Sequence, residues 1–113
     1  MANIKWNEKL SLIWGTVNIQ DFVQARASKL DLPLVLEKIR QNYQTAKMYM
    51  LLHQEDTSRV RVLLTGGQDD ITTLLTNLFP NTSHVGDFLS FYIEKDSLEA
   101  AEEELLKTLT LPR

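Results

Sequence analysis

The stretch from residue 47 to residue 79 constrains the fold of this chain more than any other. It reads as two apolar segments, KMYMLLH and RVRVLLT, joined by QEDTS and followed by GGQDD and ITTLLTNLF. This pattern predicts a β-hairpin, a sharp turn and a helix. Because both strands carry apolar residues at successive positions, both faces of their sheet need to be covered. The main question about function is therefore what covers the second face of the sheet.

The helix of this unit has well-defined limits. Its apolar residues recur at i, i+3, i+4, i+7 and i+8, as Ile71, Leu74, Leu75, Leu78 and Phe79. Pro80 ends the helix, and Asp69 and Asp70 lie in its first turn, where carboxylates interact favourably with the exposed N–H groups. No ligand-like spacing accompanies these two acids, so helix N-terminal residues are a better interpretation than a metal site.

The double glycine before this helix predicts a tight turn, because glycine adopts a positive φ without strain. Gly66 and Gly67 also resemble part of a phosphate cradle. The lysine and the wider glycine pattern of such a cradle are absent, and two adjacent carboxylates would repel an anion. The turn is the better interpretation.

The remaining elements complete an α+β pattern. Residues 9–17 predict a first strand, with a short helix from Asn7 as the alternative, and residues 19–45 predict a pair of helices. A last strand spans 87–94, and a C-terminal helix carries an apolar stripe from Leu98. This order predicts a two-layer sandwich, a ferredoxin-like βαββαβ arrangement with the helix pair in the first crossover and an extra C-terminal helix. The long helices are then expected on one face of a four-stranded antiparallel sheet.

Length and composition limit the classes of protein. A chain of 113 residues predicts a single domain over residues 1–113, and 43% hydrophobic with 24% charged residues is typical of globular proteins. Without cysteine, disulfides, thiolate metal sites and cysteine nucleophiles are excluded, and His53 and His84 supply the only imidazoles. No segment has the pattern of a membrane span or signal peptide, so a cytoplasmic location is expected, and no cofactor is indicated.

The charge distribution is uneven, although the net charge of −3 is small. Residues 26–61 hold seven Lys or Arg against four acids, whereas residues 62–113 hold nine acids against three bases. Such an asymmetry allows charge-complementary association between chains or a local basic patch. An ordinary solvated surface explains it equally simply, and this includes the acidic helix with Glu99, Glu102, Glu103 and Glu104.

Period-two alternation divides the sheet residues between two faces. The helices are expected to cover the face with Met48, Met50, Val60, Val62 and Leu64, which we call the inner face. The opposite, outer face mixes aromatic residues with arginines. Its predicted interaction surface consists of Tyr49, Leu51, Arg61, Leu63, Phe88 and Tyr92.

Three occupants of the outer face are physically reasonable. The C-terminal helix needs a partner for its own apolar stripe, a second copy of the chain would bury the aromatic residues, and single-stranded nucleic acid would stack on them. The acids near the outer face oppose phosphate binding. The helix pair at 19–45 also admits a helix-turn-helix interpretation, but Asp31 stands where glycine is usual.

These patterns predict a non-enzymatic interaction domain that binds itself or another protein through the outer face. A small-ligand-binding regulatory domain with a pocket at the sheet is the alternative, and nucleic-acid binding is less favoured. His84 and Asp87 with Ser83 or Ser90 could form a nucleophilic set. Neither an elbow motif nor an oxyanion donor accompanies them, so His84 is interpreted as a loop residue and His53 as a structural one.

Overall fold

The computed structural model of the chain describes residues 3–17, 32–56, 58–66, 69–85 and 88–110. The strands in these residues are β1 (Asn3–Asn7), β2 (Leu12–Val17), β3 (Met48–Asp56), β4 (Arg59–Thr65), β5 (Ser83–Val85) and β6 (Phe88–Ile93). The helices are α1 (Leu32–Asn42), α2 (Asp69–Leu78) and α3 (Leu98–Thr110).

All six strands belong to one mixed sheet with the order β1-β2-β3-β4-β6-β5. β2 and β3 run parallel, and the other neighbouring strands run antiparallel. The predicted α+β class is confirmed. The ferredoxin-like arrangement is not found, because the sheet has six strands in a different order. β1 and β5, which occupy the two edges, were not expected from the sequence.

The element boundaries agree with the sequence patterns where those patterns are strong. The hairpin, the helix at 69–78 and the last strand lie where they are predicted. The first strand is shorter than predicted, because a turn with a positive φ of 51° at Ser11 separates β1 from β2. The first helix of the predicted pair falls at 18–31, outside the described residues. No helix among the described segments is long and apolar enough to cross a membrane.

Helices cover both faces of the sheet. On the inner face, Ile71 and Leu75 of α2 and Leu105 of α3 pack on the predicted core residues of β3 and β4. On the outer face, Leu36 and Ile39 of α1 pack on β2, β3 and β4. The expectation that the crossover helices share one face is therefore wrong, and so is the C-terminal helix as occupant of the outer face. The C-terminal helix lies on the inner face, and α1 lies on the outer face.

A buried carboxylate anchors α3 to the first two strands. Glu102 is 8% exposed, and its carboxylate accepts a hydrogen bond of 2.6 Å from Trp14 Nε1 and bonds of 2.9 and 3.0 Å from Lys5 Nζ. Buried charged groups need such partners. The expectation that Glu102 belongs to a solvated acidic face is wrong at this position, because the side chain points to the sheet.

We expect Glu102→Ala to lower the free energy of unfolding by about 1–3 kcal/mol, because it leaves the buried Trp14 indole N–H without its acceptor. The contribution from Lys5 is smaller, since the Lys5 side chain is 48% exposed. Urea unfolding measures the change. Glu103→Ala, at an exposed position on the same helix, should change stability by less than about 0.5 kcal/mol. Equal effects would contradict this role of Glu102.

The turn after β4 depends on glycine. Gly66 has a φ of +83°, and a Cβ there would lie 2.5 Å from the Lys47 carbonyl oxygen. We expect Gly66→Ala to destabilise the fold by roughly 2 kcal/mol or more in urea unfolding. Gly15→Ala is the control, because its Cβ would meet only side-chain ends, at 3.1 Å or more. A Gly66→Ala variant no less stable than the control would contradict the turn geometry.

Candidate functional site

The predicted interaction surface is divided by α1. Tyr49, Leu51 and Leu63 are 5%, 1% and 1% exposed, and they pack in the outer-face cluster with Leu36 and Ile39 of α1. These three side chains are core residues of the folded chain. The outer face is not open at these three residues as expected, because the helix at 32–42 covers the centre of that face.

The other three predicted residues, Arg61, Phe88 and Tyr92, are half-buried on β4 and β6. Arg61 Nε donates a hydrogen bond of 3.2 Å to Ser90 Oγ. The Arg59 guanidinium lies over the Tyr92 ring, 4.5 Å from its centroid. Cation–π contacts of this kind orient the cation and the ring together. This part of the outer face is a small basic and aromatic area held by contacts between neighbouring strands.

The two histidines do not form a common site. His53 is 3% exposed, and its Nδ1 lies 3.2 Å from the Val17 carbonyl oxygen, which agrees with a structural role. His84 lies exposed on β5, and strands β4 and β6 separate it from β3. Asp87 of the possible nucleophilic set lies outside the described residues. Within the described segments, no group of three or more acidic or histidine side chains is placed to hold a metal ion.

The outer face is accessible instead at its β1 edge. Ile4, Trp6 and Tyr43 are 39%, 64% and 43% exposed, and we call these three residues the edge patch. Ile4 and Trp6 lie opposite Gly15 and Ile13 in the register of β1 and β2, which places them on the outer face. The edge patch lines a groove of about 380 Å³ together with Lys5, Ile13 and Thr45.

Hydrogen bonds of the Tyr43 backbone and the lack of a side chain at Gly15 shape the groove. Tyr43 directly follows α1; its N–H donates to the Ile39 carbonyl at 3.0 Å, and its own carbonyl accepts a 2.5 Å bond from Tyr49 Oη. Gly15 lets side chains approach the sheet, because a Cβ there would lie 3.1 Å from Ile39 Cδ1 and 3.3 Å from Ile4 Cδ1. The absence of a side chain at Gly15 thus brings α1 and β1 close together on the outer face.

The segment NIKWN has a pattern that predicts part of the edge patch. Ile4 and Trp6 alternate with Lys5, which is the pattern of a short strand with one apolar face. Only two of its five residues are apolar, so the same segment also fits a polar loop. Tyr43 carried no such signal, since its place beside β1 depends on tertiary packing.

Neither the family models nor the curated proteins include a match to this chain. Solved structures share its fold. An exopolyphosphatase-related protein from Bacteroides fragilis matches 95% of the chain with a TM-score of 0.72 and 15% identity. CDC45 from Entamoeba histolytica matches 98% of it with a TM-score of 0.60 and 15% identity. The chain spans only 31% and 25% of those two proteins.

The two tryptophans should report this geometry separately. Trp14 is 5% exposed and Trp6 is 64% exposed. We expect Trp6→Phe, which retains Trp14, to emit at shorter wavelength and to resist acrylamide quenching. Trp14→Phe, which retains Trp6, should be quenched several-fold more strongly at low micromolar protein concentration. Equal quenching of the two variants would contradict the exposed position of Trp6.

Proposed function

We propose that this chain is a non-enzymatic interaction domain that associates with itself through the edge patch. One observation carries the proposal. The large hydrophobic side chains that are exposed among the described residues are Ile4, Trp6, Leu34, Tyr43 and Leu78. Three of these five line a single groove. Scattered apolar residues are ordinary on a protein surface, whereas a cluster of them beside a groove is typical of an interaction site.

The chemistry of the edge patch suits a protein contact. Tryptophan and tyrosine are the residues that most often dominate binding energy at protein interfaces, because they bury a large area at little cost in side-chain entropy. Trp6 projects from a short strand, and the Tyr43 backbone after α1 donates to the Ile39 carbonyl and accepts from the Tyr49 hydroxyl. The groove between them therefore has aromatic groups on two sides.

The remaining outer-face residues have a secondary role in this proposal. Arg61, Phe88 and Tyr92 lie beyond α1, on β4 and β6, and are half-buried. Their contacts with Ser90 and Arg59 leave less surface for a partner. A contact through the outer face is therefore proposed mainly at the β1 edge, with these three residues as a smaller contact area.

The exopolyphosphatase-related protein and CDC45, which share this fold, are compatible with such a role. In both, the equivalent region is less than a third of a longer chain. A unit of this shape thus occurs as one part of larger proteins, where it has neighbours to contact. At 15% identity, their names do not supply an activity for this chain.

A small-ligand-binding domain is the second candidate. The groove of about 380 Å³ falls in the range of ligand pockets, and its aromatic walls suit a flat apolar molecule. A ligand seated there would raise the melting temperature of the wild-type chain and not of Trp6→Glu. Nucleic-acid stacking is weakened as a proposal, because Tyr49, one of its expected platforms, is buried.

Self-association should depend on Trp6. We expect light scattering with size-exclusion chromatography to give a mass that rises with concentration toward a dimer. Trp6→Glu should reduce the association constant roughly tenfold or more, the effect of losing an interface tryptophan. Leu34→Glu is the matched control, because Leu34 is 62% exposed and lies away from the groove, on α1. An equal effect of both variants, or a wild-type chain that stays monomeric, would contradict the proposal.

A further inference from the structure

We infer that two copies of the chain pair through β1, in antiparallel orientation about a two-fold axis at Lys5, and join their sheets into one. This inference builds on the proposed self-association and specifies how it occurs. Strand addition at a sheet edge is a common mode of protein recognition, since the backbone groups of the edge supply ready hydrogen bonds. Four features of β1 support it.

The first feature is the position of β1 at an edge of the sheet. β1 pairs with β2 along one edge, and no other described strand pairs with its opposite edge. The backbone N–H and C=O groups that point away from β2 form a template for another strand. The opposite edge, β5, is less suitable because it has only three residues, and both Ser83 and His84 are exposed polar residues. Short polar edges of this kind discourage pairing.

The second feature is a register that uses the whole strand. Centred on Lys5, antiparallel pairing sets Asn3 opposite Asn7 of the second copy, and Ile4 opposite Trp6 of the second copy. All five residues of β1 then have partners, whereas a register centred on Ile4 or Trp6 pairs only three. The favoured register also forms two apolar cross-strand pairs, one on each side of the axis. Such pairs are the stabilising units of an antiparallel sheet.

The third feature is the face on which these pairs fall. Ile4 and Trp6 both lie on the outer face, and each edge patch includes Tyr43 from the end of α1. Pairing through β1 therefore brings the two edge patches side by side. The exposed Trp6 of each copy is covered by the Ile4 of the other, next to a groove with an aromatic wall. One contact thus involves the edge patches of both copies.

The fourth feature is the state of Lys5. A lysine in the middle of an edge strand normally opposes pairing, because two like charges would face each other. Here both Glu102 carboxylate oxygens accept hydrogen bonds from the Lys5 ammonium, at 2.9 and 3.0 Å, on the inner face. A two-fold axis at Lys5 collects two ammonium and two carboxylate groups, whose formal charges cancel. The lysine therefore does not block this register.

The predicted contact is small. Five residue pairs with one patch on each side form an interface at the low end of the range for specific complexes, so we expect a reversible dimer with a Kd of tens of micromolar or weaker. Such a dimer is detectable at the concentrations used for light scattering and chemical cross-linking. The absence of cysteine in the chain makes single-cysteine variants direct reporters.

The test uses Lys5→Cys and Ile4→Cys under mild oxidation. Directly opposite residues in an antiparallel pair have Cα atoms about 4.5–5.5 Å apart, within the range of a disulfide. Lys5→Cys should therefore form a covalent dimer. Ile4→Cys should form at least tenfold less, because the predicted register sets residue 4 opposite residue 6, and two residues 4 lie too far apart. A variant with efficient cross-linking at position 4 would overturn the register.

A second cross-linking experiment leaves Lys5 and the edge patch unchanged. An equal mixture of Asn3→Cys and Asn7→Cys should cross-link between the two variants, whereas neither alone should. If light scattering shows a dimer and neither this mixture nor Lys5→Cys cross-links, strand pairing is overturned while self-association stands. If the wild-type chain is monomeric at several hundred micromolar, self-association and strand pairing are both overturned. The two failures are therefore distinguishable.

Discussion

The burial of β3 on both of its faces determines where the helices of this chain lie. Five successive residues, 48 to 52, are each 5% exposed or less. A strand in this condition needs apolar cover above and below, and a single helical layer provides only one. The chain meets this requirement with α2 and α3 on the inner face and α1 on the outer face. Parallel pairing of β2 with β3 belongs to the same arrangement, since it places another buried strand beside β3.

The position of the candidate site follows from that cover. α1 packs on the centre of the outer face, so the residues there cannot meet a partner while the helix is in place. The sheet extends past the helix on the β1 side, where Ile4 and Trp6 lie on the outer face and Tyr43 projects from the chain after α1. Gly15 allows the helix and the edge strand to approach closely, and the groove forms between them. The interaction surface is thus displaced from the middle of the sheet to its edge.

The sequence was informative where a pattern depends on neighbours along the chain. The stripe from Ile71 to Phe79, the proline after it and the apolar alternation of the hairpin predicted α2, β3 and β4 correctly, because period and capping are local properties. A stripe indicates that a helix buries one side but not which face of the sheet receives it. For this reason α1 and α3 could not be assigned to the outer and inner faces from the sequence.

The candidate site was harder to predict for a related reason. Tyr49, Leu51 and Leu63 alternate as surface residues of a half-covered sheet would, and only the placement of α1 makes them core. Glu102 lies among other acids in the sequence, and its burial depends on Trp14 and Lys5, which are about ninety residues away along the chain. β1 holds a single alternation, which is too short to stand out from a polar segment. The burial of these side chains and the formation of β1 depend on contacts between residues that are distant along the chain.

Hydrogen exchange of the β1 amides, measured over a range of protein concentrations, distinguishes a β1 edge that pairs with a second copy from one that stays exposed. We expect the amides of residues 3–7 that point away from β2 to become more protected as concentration rises from a few to several hundred micromolar, because a second copy engages them. Amides of β5 should show no such dependence. Protection that is independent of concentration at β1, or that rises at β5 instead, would contradict the account.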